Sequence, residues 1–151
     1  MSRTGKQKRD RIAYHFTGVT YDRAKADAHL AIFNIVRIGA CVIAFVYCSQ
    51  QQYLIHQYLA GLKEYKVPDH PIFIRTNAIC PHYTFETYIY LVLAVLTARD
   101  GRVLNITMLC ATAFVLVNLG VTADLTKTWQ LRRFPKQRAT IVARNRMFSF
   151  W

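Results

Sequence analysis

YTFETYIYLVLAVLTARDGRVLNITMLCATAFVLVNLGVTA, residues 83–123, is the stretch whose reading decides the fold. It contains two apolar runs, at residues 83–98 and 103–123, separated by RDGR at residues 99–102. A helix that spans a bilayer needs about 20 mostly apolar residues, and both runs are near that length. The glycine within RDGR suits a tight turn, so the pair predicts an antiparallel helical hairpin in the membrane. A third run of this kind, LAIFNIVRIGACVIAFVYC, lies earlier, at residues 30–48, with Arg37 inside it. The expected fold is therefore all-α and polytopic, with about three transmembrane helices plus an interfacial helix.

Between the first and second runs, residues 50–79 are more polar. The part QQYLIHQYLAGLK (residues 51–63) places Tyr53, Leu54, Tyr58, Leu59 and Leu62 at helical spacing. This predicts either a continuation of the first spanning helix out of the membrane or a helix lying at the interface. KEYKVPDHP (residues 63–71) then breaks the helix, because proline lacks a backbone donor and restricts the residue before it. Residues 1–28 form a basic N-terminal segment, and residues 29–151 form the membrane domain. MSRTGKQKRDR at the start has no apolar stretch behind it of the kind a signal peptide carries, so the first span is expected to serve as an internal anchor.

The chain of 151 residues is 53% hydrophobic yet carries a net charge of +12. Of its 20 Lys and Arg residues, seven fall within 1–27 and seven within 124–151, leaving six for the 96 residues between. Basic ends beside apolar spans fit anionic lipid headgroups. A nucleic-acid partner is not expected, since no recognisable nucleic-acid module interleaves with these charges. Three spans place the two ends on opposite membrane faces, and because both ends are basic the charge pattern assigns no orientation. Cys41, Cys48, Cys80 and Cys110 show no CxxC spacing, and the five histidines form no HxxxH pair. Neither a disulfide framework nor a metal site is expected.

Ionisable residues inside spans are costly and therefore point to function. Arg37 and Glu86 are the two clear cases. Arg37 is equally accounted for by burial against a partner helix or by snorkelling, and Glu86 alone would suit a helix N-terminus electrostatically. Glu86, however, follows Cys80-Pro81-His82-Tyr83, and Tyr65-Lys66-Val67-Pro68 lies shortly before. CPHYxxExxIY, preceded by YxxP and by a QYxxHxxLxxL helix, resembles the C-terminal domain of the steroid 5α-reductase family, and among its branches it looks most like the polyprenal reductases. Phe134-Pro135-Lys136-Gln137-Arg138, followed by the apolar-aromatic end at residues 147–151, resembles the family's YPKxRKAxxPFxF ending. The resemblance covers roughly residues 28–151 and is densest over residues 51–96.

That resemblance implies a seven-helix membrane fold that uses NADPH to reduce a carbon–carbon double bond conjugated to a carbonyl. In the polyprenal branch this serves dolichol synthesis for N-glycosylation, in the endoplasmic reticulum membrane. The substrate it implies is a polyprenal or a steroid-like lipid. Carried over by position, the cofactor-binding residues are Gln52, His56, Lys63, Tyr65, His82, Glu86 and Trp129. Gln52 and His56 replace an Asn and an Asp of the steroid branch, Lys63 stands for an Arg facing the cofactor phosphates, and His82 replaces an Asn. Tyr65 matches the YxxP tyrosine, Glu86 the family acid, and Trp129 a cofactor-contacting Tyr. His82 and Glu86, four residues apart, share a helix face, and Lys63 supplies charge without the bidentate fork of Arg. Each aromatic would also serve as a plain membrane-interface anchor. The acid and tyrosine that polarise the carbonyl belong to the family's N-terminal half, for which this chain has no counterpart. Catalytic residues are therefore unassigned, a missing N-terminal half is an expected partner, and a truncated, non-catalytic membrane protein derived from such a reductase is the alternative reading.

Overall fold

The structure is a computed structural model that describes residues 3–62, 64, 66–99 and 102–148, with side chains from residue 25 onward. Among the described residues five helices follow in order: α1 (Arg3–Ala60), α2 (Pro71–Thr76), α3 (Pro81–Leu96), α4 (Ile106–Arg133) and α5 (Arg138–Ala143), with a 3-10 turn at Pro135–Gln137 before α5. Among the described residues there is no strand, only an isolated parallel bridge between Ala78 and Asn145. The chain divides into two units, residues 1–39 and 40–151.

Among the described residues, two helical segments are long and apolar enough to cross a membrane, Lys25–Ala60 within α1 and the whole of α4. Only 6% and 17% of their apolar windows are buried. A core helix of a soluble protein hides such surface, so the protein is an all-α membrane protein whose apolar faces point to lipid. Phe114, Val117, Val121 and Leu125 mark this face on α4, each more than half exposed. The helix at the second apolar run is α3, whose 16 residues rise about 24 Å, short of a hydrocarbon core about 30 Å thick. It packs along α4 as the second arm of the hairpin.

Each boundary has a local cause. The segment at residues 51–60 continues α1 as one helix, and the chain then enters the proline-broken stretch. Residues 71–76, read as polar connection in the sequence, form α2. His70 caps it through Nδ1, which accepts from the Ile72 amide at 3.4 Å, and Pro71 occupies the first helical position, where a missing N–H is harmless. Asn77 ends α2 in the left-handed region at φ 48°, a conformation Asn tolerates better than most residues. Thr97 closes α3 by donating its amide to Leu93 O at 2.9 Å, and the Asn105 amide reaches back to Ala94 O at 2.8 Å. Asn105 then caps α4 by accepting from the amides of Thr107 and Met108 at 3.0 and 3.3 Å. α4 runs ten residues past the apolar stretch ending at Ala123, stopping at Arg133, because no helix breaker stands before Pro135.

Two apolar clusters hold α3 from two sides. One joins Cys48 and Ile55 of α1, Ile72 and Phe73 of α2, and Phe85 of α3. The other joins Val67, Ile79 and Cys80 to Ala123 of α4, Ile141 of α5 and Met147. Residues 144–147 form a strap over the start of α3. The amides of Ile79 and Cys80 donate to the carbonyls of Asn145 and Arg146, and the Asn145 amide donates to Asn77 O, all at 2.8–3.0 Å. Thr84 Oγ1 donates to Met147 O at 2.6 Å. The strap is tied at its other edge by Arg146 Nε to Asp124 and by Lys127 Nζ to Arg144 O, and Arg144 Nη1 reaches Pro68 O at 2.7 Å.

Candidate functional site

His82 and Glu86 lie on successive turns of α3, one turn apart, as do Gln52 and His56 on α1. The two helices run antiparallel here, so the pairs meet in reverse order. Gln52 Nε2 donates to Glu86 Oε2 at 3.3 Å, and the His56 and His82 rings meet edge to face with centroids 5.1 Å apart. The cluster of Cys48, Ile55, Ile72, Phe73 and Phe85 fixes this alignment. Ile55, fully buried, sits between Gln52 and His56 in the sequence and draws that stretch of α1 inward.

The four side chains differ in access. His56 is exposed, Gln52 and Glu86 are half-buried, and His82 is buried. Tyr83 packs on the His82 ring at 4.2 Å between centroids. His82 Nδ1 is buried and has no hydrogen-bond partner. Burial pushes the His82 imidazole down to about 4 from the usual 6.5, and the neighbouring His56 adds to the shift. His82 stands just before the apolar run that opens at Tyr83 and is neutral at physiological pH. A neutral imidazole offers one donor and one acceptor, and a buried polar atom left unpaired is costly. The arrangement is therefore a polar wall with an unused hydrogen-bonding atom, a carboxylate oriented by Gln52, and an exposed imidazole at His56.

Of the other expected residues, Lys63 and Tyr65 lie outside the described residues. Trp129 is on α4, packed edge-on to Phe134 with centroids 5.8 Å apart, and it does not join the four-residue cluster. It lines an open cavity of about 430 Å³ with Leu59, Leu62, Glu64, Lys66, Pro68 and Gln130. Leu59 follows His56 by three residues on α1, so this cavity begins about one turn beyond the polar wall. Neither Lys66, quoted only as an interior residue of the YxxP motif, nor Gln130 is among the expected site residues. Lys66 differs from Lys63 only by position in KEYK, and Gln130 is a buried polar residue in a polar helix end, with no pattern to single it out. Beside the cavity, Tyr58 OH donates to Asp69 Oδ1 at 2.7 Å and accepts from the Asp69 amide at 3.2 Å. That hydroxyl, with the Lys66 charge behind it, holds the Asp69 carboxyl below the usual range.

A nicotinamide dinucleotide fits this chemistry at its polar ends. The unpaired Nδ1 of His82 and the remaining lone pairs of Glu86 suit the donors and acceptors of a carboxamide or ribose, whereas Lys66 at the cavity shares its charge with Asp69, whose Oδ2 lies 3.6 Å from its Nζ, and with Glu64 on the same lining.

No curated protein and no solved structure matches the chain. A model of one family does match, over residues 12–144, a span that includes all seven expected site residues. On that match, the chain belongs to the 3-oxo-5-alpha-steroid 4-dehydrogenase family.

Proposed function

We propose that this membrane reductase uses NADPH to reduce the α,β-double bond of a polyprenal, in dolichol synthesis at the endoplasmic reticulum. The observation that carries the proposal is the paired ladder of Gln52 with Glu86 and His56 with His82, with its unpartnered buried Nδ1. The family membership supports reductase chemistry, and the apolar faces of α1 and α4 suit a substrate with a long isoprenoid tail. Bound cofactor supplies a hydride for the alkene carbon beyond the carbonyl, while the adjacent carbon takes up a proton. Glu86, held by Gln52, accepts hydrogen bonds from the cofactor and orients it. Neutral His82 provides a directional contact without placing a second charge beside Glu86. Lys63 attracts the phosphates, and Lys66, partly neutralised by Asp69 at 3.6 Å, adds to that field.

The test is NADPH binding by the purified full chain in detergent, followed through nicotinamide fluorescence, with wild type beside Glu86→Gln and His82→Phe. Binding weakened about tenfold or more in each variant is expected, as is preference for NADPH over NADH. Turnover of a short polyprenal to the saturated aldehyde then tests the substrate. Equal NADPH affinity in wild type and both variants would refute the site.

A further inference from the structure

We propose that the cavity between α1 and α2 binds the phosphate of an anionic phospholipid. It measures about 250 Å³, with Gln51, Leu54 and Ile55 of α1 on one side and His70, Ile72 and Arg75 on the other. Ile55 clusters with Ile72 and Phe73, so direct contact between the helices sets the two walls. Three of the lining residues bring donors. His70 Nδ1 accepts from the Ile72 amide at 3.4 Å, which leaves the ring proton on Nε2. Gln51 adds a side-chain amide and Arg75 an exposed guanidinium, and among the described residues neither has a hydrogen-bond or ion-pair partner. No described carboxylate lines the cavity, and Asp69, next to His70 in the sequence, is already held by Tyr58 OH and Lys66. One cation and two neutral donors without an acid suit an anion with several acceptor oxygens, and arginine matches phosphate in paired hydrogen bonds. The end of α2 plays no part. Pro71 has no N–H, and the amides of Ile72 and Phe73 donate to His70 Nδ1 and His70 O.

Location favours a lipid as the source of that phosphate. The membrane-length segment of α1, Lys25–Ala60, has 36 residues and rises about 54 Å. A hydrocarbon core is only about 30 Å thick, so the helix leaves the bilayer within its own length. Its apolar run ends at Cys48, and Gln50, Gln51 and Gln52 follow, side chains that are costly to bury in hydrocarbon without partners. The cavity therefore sits at headgroup depth. Leu54, which lines it, is 48% exposed, and Tyr53 and Ile74, adjacent to lining residues in the sequence, are 65% and 64% exposed. Such apolar surface meets the upper part of acyl chains, while an arginine stem lies along it and carries its head to the phosphate. Pockets that enclose a whole small molecule begin at about 300 Å³. A cavity of about 250 Å³ suits a headgroup whose chains stay outside. Gln51, His70 and Arg75 are none of them part of the polar wall, so the site is independent of the cofactor reading.

The experiment is native mass spectrometry of the full chain released from mixed micelles holding equal amounts of phosphatidic acid and phosphatidylcholine with identical acyl chains. Wild type is expected to retain one phosphatidic acid with a preference of about tenfold, the worth of one charge-assisted contact. R75Q should lose nearly all of that preference, and R75K should lie between. Q51L and H70N should each lose part of it, and in H70N the asparagine still caps α2 while the Nε2 donor is gone. R138Q, at an exposed arginine outside the cavity, should match wild type. Should R75Q not fold, R75K and Q51L decide the matter. No preference in wild type, or an unchanged one in R75Q, R75K and Q51L, would overturn the proposal. An equal loss in R138Q would also overturn it, since diffuse surface charge would then set the preference. Displacement of the lipid by millimolar inorganic phosphate would do the same and make the cavity a site for soluble anions.

Discussion

Ile55 holds the alignment of α1 on α3, and shortening it should cost more than its size suggests. The side chain is fully buried among Cys48, Ile72, Phe73 and Phe85, where the surroundings collapse only partly around a deletion. Ile55→Val, which removes one methyl, should cost about 0.5–1.5 kcal/mol, and Ile55→Ala about 2–5 kcal/mol. A chain of this length loses roughly 2–4 °C of melting temperature per kcal/mol. At about 3 kcal/mol, Ile55→Ala should therefore melt roughly 6–12 °C below wild type in the same detergent. Ile43, on the same helix, is 73% exposed, and Ile43→Ala should stay within about 0.5 kcal/mol of wild type. The assay is thermal unfolding followed by circular dichroism at 222 nm, with all three variants in one detergent. Equal shifts for Ile55→Ala and Ile43→Ala would refute the claim that this cluster, rather than the surrounding amphiphile, holds α1 in place.

Three further outcomes follow from particular groups. Burial pushes the Cys80 thiol up to about 12, so Cys80 should resist iodoacetamide at pH 8 in the folded protein and react only on denaturation, as peptide mapping would reveal. Asn105→Ala removes the acceptor for two α4 amides and should destabilise the fold by about 0.5–2 kcal/mol, with Asn105→Asp recovering most of the loss in the same melt. His82 has a folded value depressed to about 4 from 6.5. Its contribution is complete above pH 6.5 and is lost as pH falls from there toward 4, because the unfolded chain binds the extra proton. Wild type should lose melting temperature over that window more steeply than His82→Gln, and parallel curves would contradict the assignment.

The apolar runs were legible because a bilayer imposes both length and composition on what crosses it. α4 and the membrane part of α1 stand where residues 103–123 and 30–48 predict. The i, i+4 spacing of His82 and Glu86 was visible in the same way. What the sequence hides is pairing between distant residues. Nothing in QQYLIH indicates that Gln52 will meet Glu86 at a separation of 34 residues, and only the family resemblance brought Gln52 and His56 into the same list. α2 is too short to show a period, and its cap is a histidine rather than the usual Ser, Thr, Asp or Asn. The strap at residues 144–147 pairs with residues 77–80 through backbone groups, which leave no trace in side-chain pattern, and with Thr84 through its hydroxyl. Trp129 was chosen by position in a motif, and its neighbours Lys66 and Gln130 become visible only once α4 is placed beside the loop after α1.

The strap also sets a clock on biosynthesis. Glu86 and Met147 are 61 residues apart, which at about 5–20 residues per second corresponds to roughly 3–12 s of translation. During that interval α3 and then α4 are completed, while Thr84, Ile79 and Cys80 still lack the carbonyls they bond in the finished protein. The turn that carries His82 is thus the last part of its helix to be fastened. A nascent chain halted within this window would hold both helices with an unfinished polar wall.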